Sequence, residues 1–152
     1  MPAPTLFVIH GPNLNLLGVR EPHIYGTTTL AEIDEELARR GQKLGVQVVS
    51  FQSNIEGELV TQVQRARGTA QGILINPGGY THTSVAIRDA IEAAEVPAVE
   101  VHLSNLHRRE PFRRRSFVAG VCLAQVAGFG AASYYVALDG LCAHLRSKGL
   151  LS

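Results

Sequence analysis

Five short apolar runs, separated by stretches of helical periodicity, constrain this chain more than any other feature. The runs cover residues 6–9, 46–51, 72–76, 98–102 and 121–126, and they are rich in Val and Ile. A half-exposed strand alternates apolar and polar residues, whereas a nearly unbroken apolar run needs cover on both faces. The intervening segments supply that cover. Thr29-Leu30-Ala31-Glu32 reads as a capping box leading into Ile33, Leu37 and Leu44. Ser53-Asn54-Ile55-Glu56 reads as a second one ahead of Leu59, Val60 and Val63. Thr83 or Ser84 is placed to cap a helix carrying Val85, Ile87, Ile91 and Ala94, and residues 131–148 carry Tyr134, Leu138, Leu141 and Leu145 at helical spacing. Strand and helix alternating throughout predict an α/β fold: a five-stranded, doubly wound parallel sheet of flavodoxin-like type, in a single domain over 1–152. A chain of 152 residues buries about 68–70% of its unfolded surface without a disulfide or metal staple.

Charge narrows the partners. Fourteen basic and thirteen acidic side chains leave a net charge of +1, so no bulk attraction to nucleic acid or to a membrane surface is indicated. No run approaches the ~20 apolar residues that span a bilayer, and the first residues lack the pattern of a secretory signal. Cys122 and Cys142 form neither a CxxC pair nor a zinc pattern and read as free thiols in a reducing compartment. A cytoplasmic protein is the expectation.

In an open parallel sheet, ligands bind beyond the carboxyl ends of the strands. Three strand ends deliver Asn13, Asn76, His82, His102 and Ser104 to one edge. A separate segment, 18–26, brackets Arg20 and Tyr25 between Gly18 and Gly26 and reads as a lid. A phenol titrates near ~10 and is a poor base at neutral pH, but a guanidinium within ~4–6 Å favours the phenolate. Each residue also has a plain structural use: Asn76 shapes a turn before Pro77, Asn13 and Asn15 cap backbone groups, and a histidine at a strand end is satisfied internally. Residues 108–115 hold five arginines, which at this net charge read as a local anion site. There is no HExxH spacing, no phosphate-binding GxxxxGK loop and no GxGxxG fingerprint. Chemistry at this edge is therefore expected to run on side chains, without metal or cofactor.

These residues stand in blocks that closely resemble the type II 3-dehydroquinate dehydratases: HGPNLNLLGVREPHIYG at 10–26, FQSN at 51–54, EGE at 56–58, NPGGYTHTSV at 76–85 and EVHLSN at 100–105. The resemblance runs from about Leu6 to Leu138, in one order and with matching spacing. Ile55, Gly79, Arg114 and Arg115 depart from the commonest family pattern. The resemblance implies elimination of water from 3-dehydroquinate to give 3-dehydroshikimate through an enolate, without Schiff base, metal or other cofactor, in aromatic biosynthesis or in quinate breakdown. It implies Tyr25 as base, Arg20 holding it as phenolate, His102 as general acid oriented by Glu100, and Asn13 at the developing enolate. Asn76, His82, Asp89, Leu103, Ser104 and Arg113 are implied as the substrate-binding set, and a homododecamer, a tetramer of trimers, as the assembly. A flavodoxin-like module binding FMN or a small anion without turnover, and a hydrolase using Cys122, are the competing readings.

Overall fold

The computed structural model describes residues 3–152. Five parallel strands form one sheet in the order β2-β1-β3-β4-β5. They are β1 (Thr5–His10), β2 (Gln47–Gln52), β3 (Gly72–Asn76), β4 (Ala98–His102) and β5 (Ala124–Ala127). The helices are α1 (Pro22–Tyr25), α2 (Leu30–Lys43), α3 (Glu56–Ala66), α4 (Val85–Ala94) and α5 (Ala132–Ser147). The predicted flavodoxin-like architecture is the one observed. Every residue of β3 and β4 is buried, the polar Glu100 and His102 of β4 included, as strands covered on both faces require.

Each face of the sheet has its own core. Ile33 and Leu37 of α2 pack with Tyr134, Leu138 and Leu141 of α5 over Leu6, Val8 and Leu74. On the other face Leu59 and Val63 of α3 pack with Ile87 and Ile91 of α4 over Ile9, Ile73 and Ile75. Alternate strand residues thus serve opposite cores, the period-2 consequence of the pleat.

Two of the predicted caps form. Thr29 Oγ1 accepts the Glu32 N–H at 3.2 Å, and Ser84 Oγ accepts the Ile87 N–H at 2.9 Å. The second capping box does not. α3 starts at Glu56 with Ile55 at the cap position, because Ser53 is spent in a tighter local turn. Its hydroxyl accepts the Ile55 N–H at 3.0 Å and donates to Glu58 at 2.6 Å. The last strand also differs from the expected 121–126. Residues 119–121 form a single 3₁₀ turn, held at its start by Ser116 Oγ, which accepts the Val118 and Ala119 N–H groups. Only 124–127 pair with β4, and this short edge strand is half-exposed rather than covered.

The strand order reverses between β1 and β3, where His10 and Asn76 lie in register as the last residues of their strands. The two strand exits then approach closely: the Gly11 N–H donates to the Asn76 carbonyl at 2.7 Å. A Cβ on Gly11 would stand 2.5 Å from the Pro77 carbonyl oxygen, backbone that has no flexible end to move aside. Gly11→Ala is therefore expected to destabilise the fold by about 1–3 kcal/mol, the usual range for overpacking. It should also lower activity more than its change in Tm predicts, since Asn13 and Asn76 follow directly from the displaced strand ends. Thermal melts and kcat/KM measured together check this; an unchanged Tm contradicts the close approach.

Candidate active site

A cleft of about 640 Å³, its open mouth included, sits over the carboxyl ends of β1, β3 and β4. Asn13, Arg20, Tyr25, Asn76, His82, His102, Leu103, Ser104, Arg109 and Arg113 line it. Of the residues expected at the site, Glu100 lies beneath this surface and Asp89 lies outside it. Asp89 is exposed on α4, whose buried stripe of Ile87, Ala90, Ile91 and Ala94 faces the sheet and turns position 89 away. Within one chain it does not reach the cleft wall.

β4 supplies the innermost pair. Glu100 and His102, two residues apart on one strand, share a face, and Glu100 Oε2 lies 2.5 Å from His102 Nε2. Glu100 is fully buried, so its charge must be met by the protein. Besides His102, Thr81 Oγ1 donates to Oε2 at 2.9 Å and Ser116 Oγ donates to Oε1 at 2.8 Å. Burial pushes the carboxyl up, but His102 and the two hydroxyls outweigh it and leave it below the usual carboxylate range. Nε2 is thereby committed inward. Nδ1 is the ring nitrogen of His102 that keeps no protein hydrogen bond among the described residues, and it is the one left for a ligand.

His82 has the opposite arrangement. Its Nδ1 lies 2.8 Å from the Arg115 carbonyl, which only accepts, so Nδ1 carries the hydrogen and Nε2 is an acceptor while the ring is neutral. Burial, opposed by that carbonyl and aided by the charges of His102 and Arg113, lowers its pKa. A neutral His82 is suited to receive a hydroxyl hydrogen rather than to bind a carboxylate.

Opposite this pair stands Tyr25. The 18–26 segment is not wholly loop: Pro22–Tyr25 form one helical turn between Glu21 and Gly26, both at positive φ. Two guanidinium groups stand over the Tyr25 ring, Arg20 at 5.0 Å and Arg109 at 5.2 Å from its centroid. Arg20 therefore meets the ring face. Arg109, which donates to Ser104 Oγ at 3.4 Å, was not among the residues singled out from sequence; its membership of the five-arginine run was the available signal. Within that run Arg109 and Arg113 line the cleft, while Arg115 stacks on Phe117. Thr81 and Ser116 carried no signal, since a hydroxyl that serves a buried carboxylate looks like any other. Asn13 adopts a left-handed conformation, φ 69°, and its side chain caps nothing, leaving its carboxamide free at the cleft wall.

Among the described residues, no group of three or more His, Cys, Asp and Glu is arranged to hold a metal ion, and no helix is long and apolar enough to cross a membrane. Cys122 precedes β5 rather than lying within it, and does not line the cleft. Burial, with a smaller push from the Glu100 charge, takes its thiol up to about 12.

The description Dehydroquinase class II fits residues 4–142 of the chain. The chain is 56% identical over 144 residues to the 3-dehydroquinate dehydratase of Synechococcus sp. (strain CC9902), covering 95% of this chain and 99% of that one. It is 58% identical over 142 residues to the enzyme of the same name from Nostoc sp. (strain PCC 7120), covering 93% and 97%. Among solved structures it resembles type II dehydroquinase from Butyrivibrio crossotus, with TM-score 0.89, 40% identity and coverage of 91% and 97%. That from Propionibacterium acnes gives TM-score 0.88, 37% identity and coverage of 91% and 96%.

A thiol titrating near 12 holds about 10³-fold less thiolate at neutral pH than a free cysteine. Iodoacetamide at pH 8 should leave Cys122 of the folded protein unmodified over an hour, as read by intact mass. Complete alkylation within minutes would contradict the burial described.

Proposed function

The chain belongs to the Dehydroquinase class II family, and on that premise we propose how its cleft eliminates water from 3-dehydroquinate to leave 3-dehydroshikimate. The observation that carries the scheme is a phenol flanked by two guanidinium groups in the same cleft as a carboxylate-bound histidine. The hydrogen to be removed lies α to a ketone, so its loss leaves an enolate. Tyr25, with the Arg20 and Arg109 guanidinium groups over its ring, is the base that takes that proton. Asn13 donates to the enolate oxygen, directly or through a water, and stabilises charge where it develops. His102 gives a proton from Nδ1 to the departing C1 hydroxyl, with Glu100 fixing the ring through Nε2. The carbon–oxygen bond breaks as the enolate electrons form the new double bond, and water leaves.

Binding falls to the remaining wall. Arg113, held at 3.0 Å by Glu110, supplies a fixed cation for the substrate carboxylate. The Asn76 carboxamide, His82 Nε2 and the backbone at Leu103 and Ser104 meet the hydroxyl and carboxylate oxygens. Asp89 takes no part in this scheme within one chain. The 18–26 segment acts as a lid: it carries Tyr25 over the bound substrate, excludes water and strengthens each charge interaction inside. No metal, imine or other cofactor is invoked.

A cytoplasmic location and a homododecamer of four trimers belong to the same proposal. Two free cysteines, Cys122 and Cys142, suit a reducing compartment. Exposed Phe112 and Phe129 and the short edge strand β5 are surfaces that self-association would cover.

Tyr25→Phe keeps the ring beside its two arginines and removes only the oxygen. It should lower kcat by about 10²–10⁴-fold, the range for a general base, while KM and Tm change little. The appearance of the dehydroshikimate enone absorbance on adding 3-dehydroquinate measures it. Retention of more than a tenth of wild-type kcat would remove Tyr25 from the role.

A further inference from the structure

One buried network lies behind the cleft and takes no part in the scheme above. His10, the last residue of β1, is fully buried. Its Nε2 lies 2.7 Å from Asp34 Oδ1 on α2, and its Nδ1 lies 2.8 Å from the hydroxyl of Tyr134 in the first turn of α5. Tyr134 is also fully buried, and its oxygen accepts a hydrogen bond from Asn76 Nδ2 at 3.1 Å. Asn76 ends β3 beside His10 and reaches the cleft wall.

With the His10 ring neutral, the direction of every hydrogen in this chain follows from the donor inventory. The Asp34 carboxylate accepts, so Nε2 of His10 carries the hydrogen and Nδ1 presents its lone pair. The single Tyr134 hydrogen goes to that lone pair, and the phenol oxygen is left to accept from Asn76. Burial, ahead of the opposing Asn76 bond, pushes the Tyr134 phenol well above its ordinary range, so the O–H is kept at neutral pH. At its other end Asn76 Oδ1 accepts the Gly78 N–H at 3.1 Å. Both ends of the carboxamide are thus named, and one Nδ2 hydrogen is left over.

We propose that Asp34, His10 and Tyr134 form a positioning relay that locks the Asn76 carboxamide in one of its two orientations, so that the cleft is offered a hydrogen-bond donor and never the amide oxygen. The two ends of a carboxamide have nearly the same shape. Packing alone therefore cannot choose between them, and a phenol whose hydrogen is already committed can. The ligand group served is an oxygen that accepts, a hydroxyl or a carboxylate. None of the three relay residues needs to touch substrate. The inference rests on the reading that Asn76 binds substrate.

A double-mutant cycle in kcat/KM separates the relay from that reading. Asn76→Ala should lower kcat/KM by about 100-fold, mainly through KM, as expected for a contact present in ground and transition states alike. Tyr134→Phe, which keeps the ring and removes the hydroxyl, should lower it by about tenfold in the wild-type background. In the Asn76→Ala background the same change should cost less than about twofold, because the carboxamide it orients is gone. An equal loss in both backgrounds overturns the relay and leaves a purely structural Tyr134. So does a Tyr134→Phe enzyme with unchanged kcat/KM while Asn76→Ala is impaired. If Asn76→Ala is unimpaired, the substrate-binding reading fails first and the relay falls with it.

Asp34, whose side chain is one-third exposed, provides a second arm that does not depend on substitution in the core. Asp34→Ala should lower kcat/KM by about threefold, and Asp34→Asn, whose Oδ1 still accepts from Nε2, should restore it. Equal losses in the Ala and Asn variants would show that Asp34 acts through its charge and would overturn the relay.

Discussion

A fully buried carboxylate on β4, the strand next to the sheet's β5 edge, organises the functional end of this molecule. Glu100 has no access to water, and an unpaired charge there would cost several kcal/mol. The fold meets it with groups from three separate segments: Thr81 after β3, His102 on β4 and Ser116 before β5. Each of those segments also carries something the cleft needs. Thr81 is adjacent to His82. Ser116 follows the arginine-bearing turn that ends in Arg113 and Arg114. The charge that orients the histidine therefore also pins the loops around it. A buried ion pair is weak support for stability in general; here its evident effect is geometric.

The second constraint is backbone proximity at the point where strand order reverses. β1 and β3 leave the sheet so close together that only glycine fits at position 11. Asn13 and Asn76 emerge on either side of that contact, and the buried hydrogen bonds of His10 and Tyr134 lie directly beneath it. The crevice is thus rigid on its β1–β3 side and depends on the single helical turn Pro22–Tyr25 on the other. On the proposed assignment the acid stands on a buried strand and the base on the 18–26 segment, a division that would allow entry of substrate before the site is complete.

Much of this was legible in the sequence, for identifiable reasons. β3 and β4 were readable to the residue because both faces of each are covered, which leaves a nearly continuous apolar run in β3 and, in β4, apolar residues interrupted only by Glu100 before the terminal His102. β5 was not. It is an edge strand, its burial is partial, and Ser116 holds the preceding residues in a turn that apolar content alone does not reveal. The Ser53 box failed because a serine hydroxyl has more than one backbone N–H within reach, and the nearer one won. At the site, Glu100 and His102 were placed together by strand periodicity, and Arg20 and Tyr25 by the short glycine-bracketed segment. Arg109, Thr81, Ser116 and the pair His10 and Tyr134 come from positions distant in sequence, and the partners they serve are set only by tertiary packing. Tyr134 in particular read as one more apolar position on a helix, and its hydroxyl gave no sign of a buried partner 124 residues away.

The central claim is that a buried negative charge on Glu100 holds His102 ready to give a proton from Nδ1. Glu100→Gln tests it most directly, since the carboxamide keeps the shape and removes the charge. The account predicts a folded protein whose kcat at neutral pH is lower by about 100-fold with little change in KM. A kcat–pH profile for Glu100→Gln that superimposes on the wild-type profile would contradict the claim and reduce Glu100 to a packing residue.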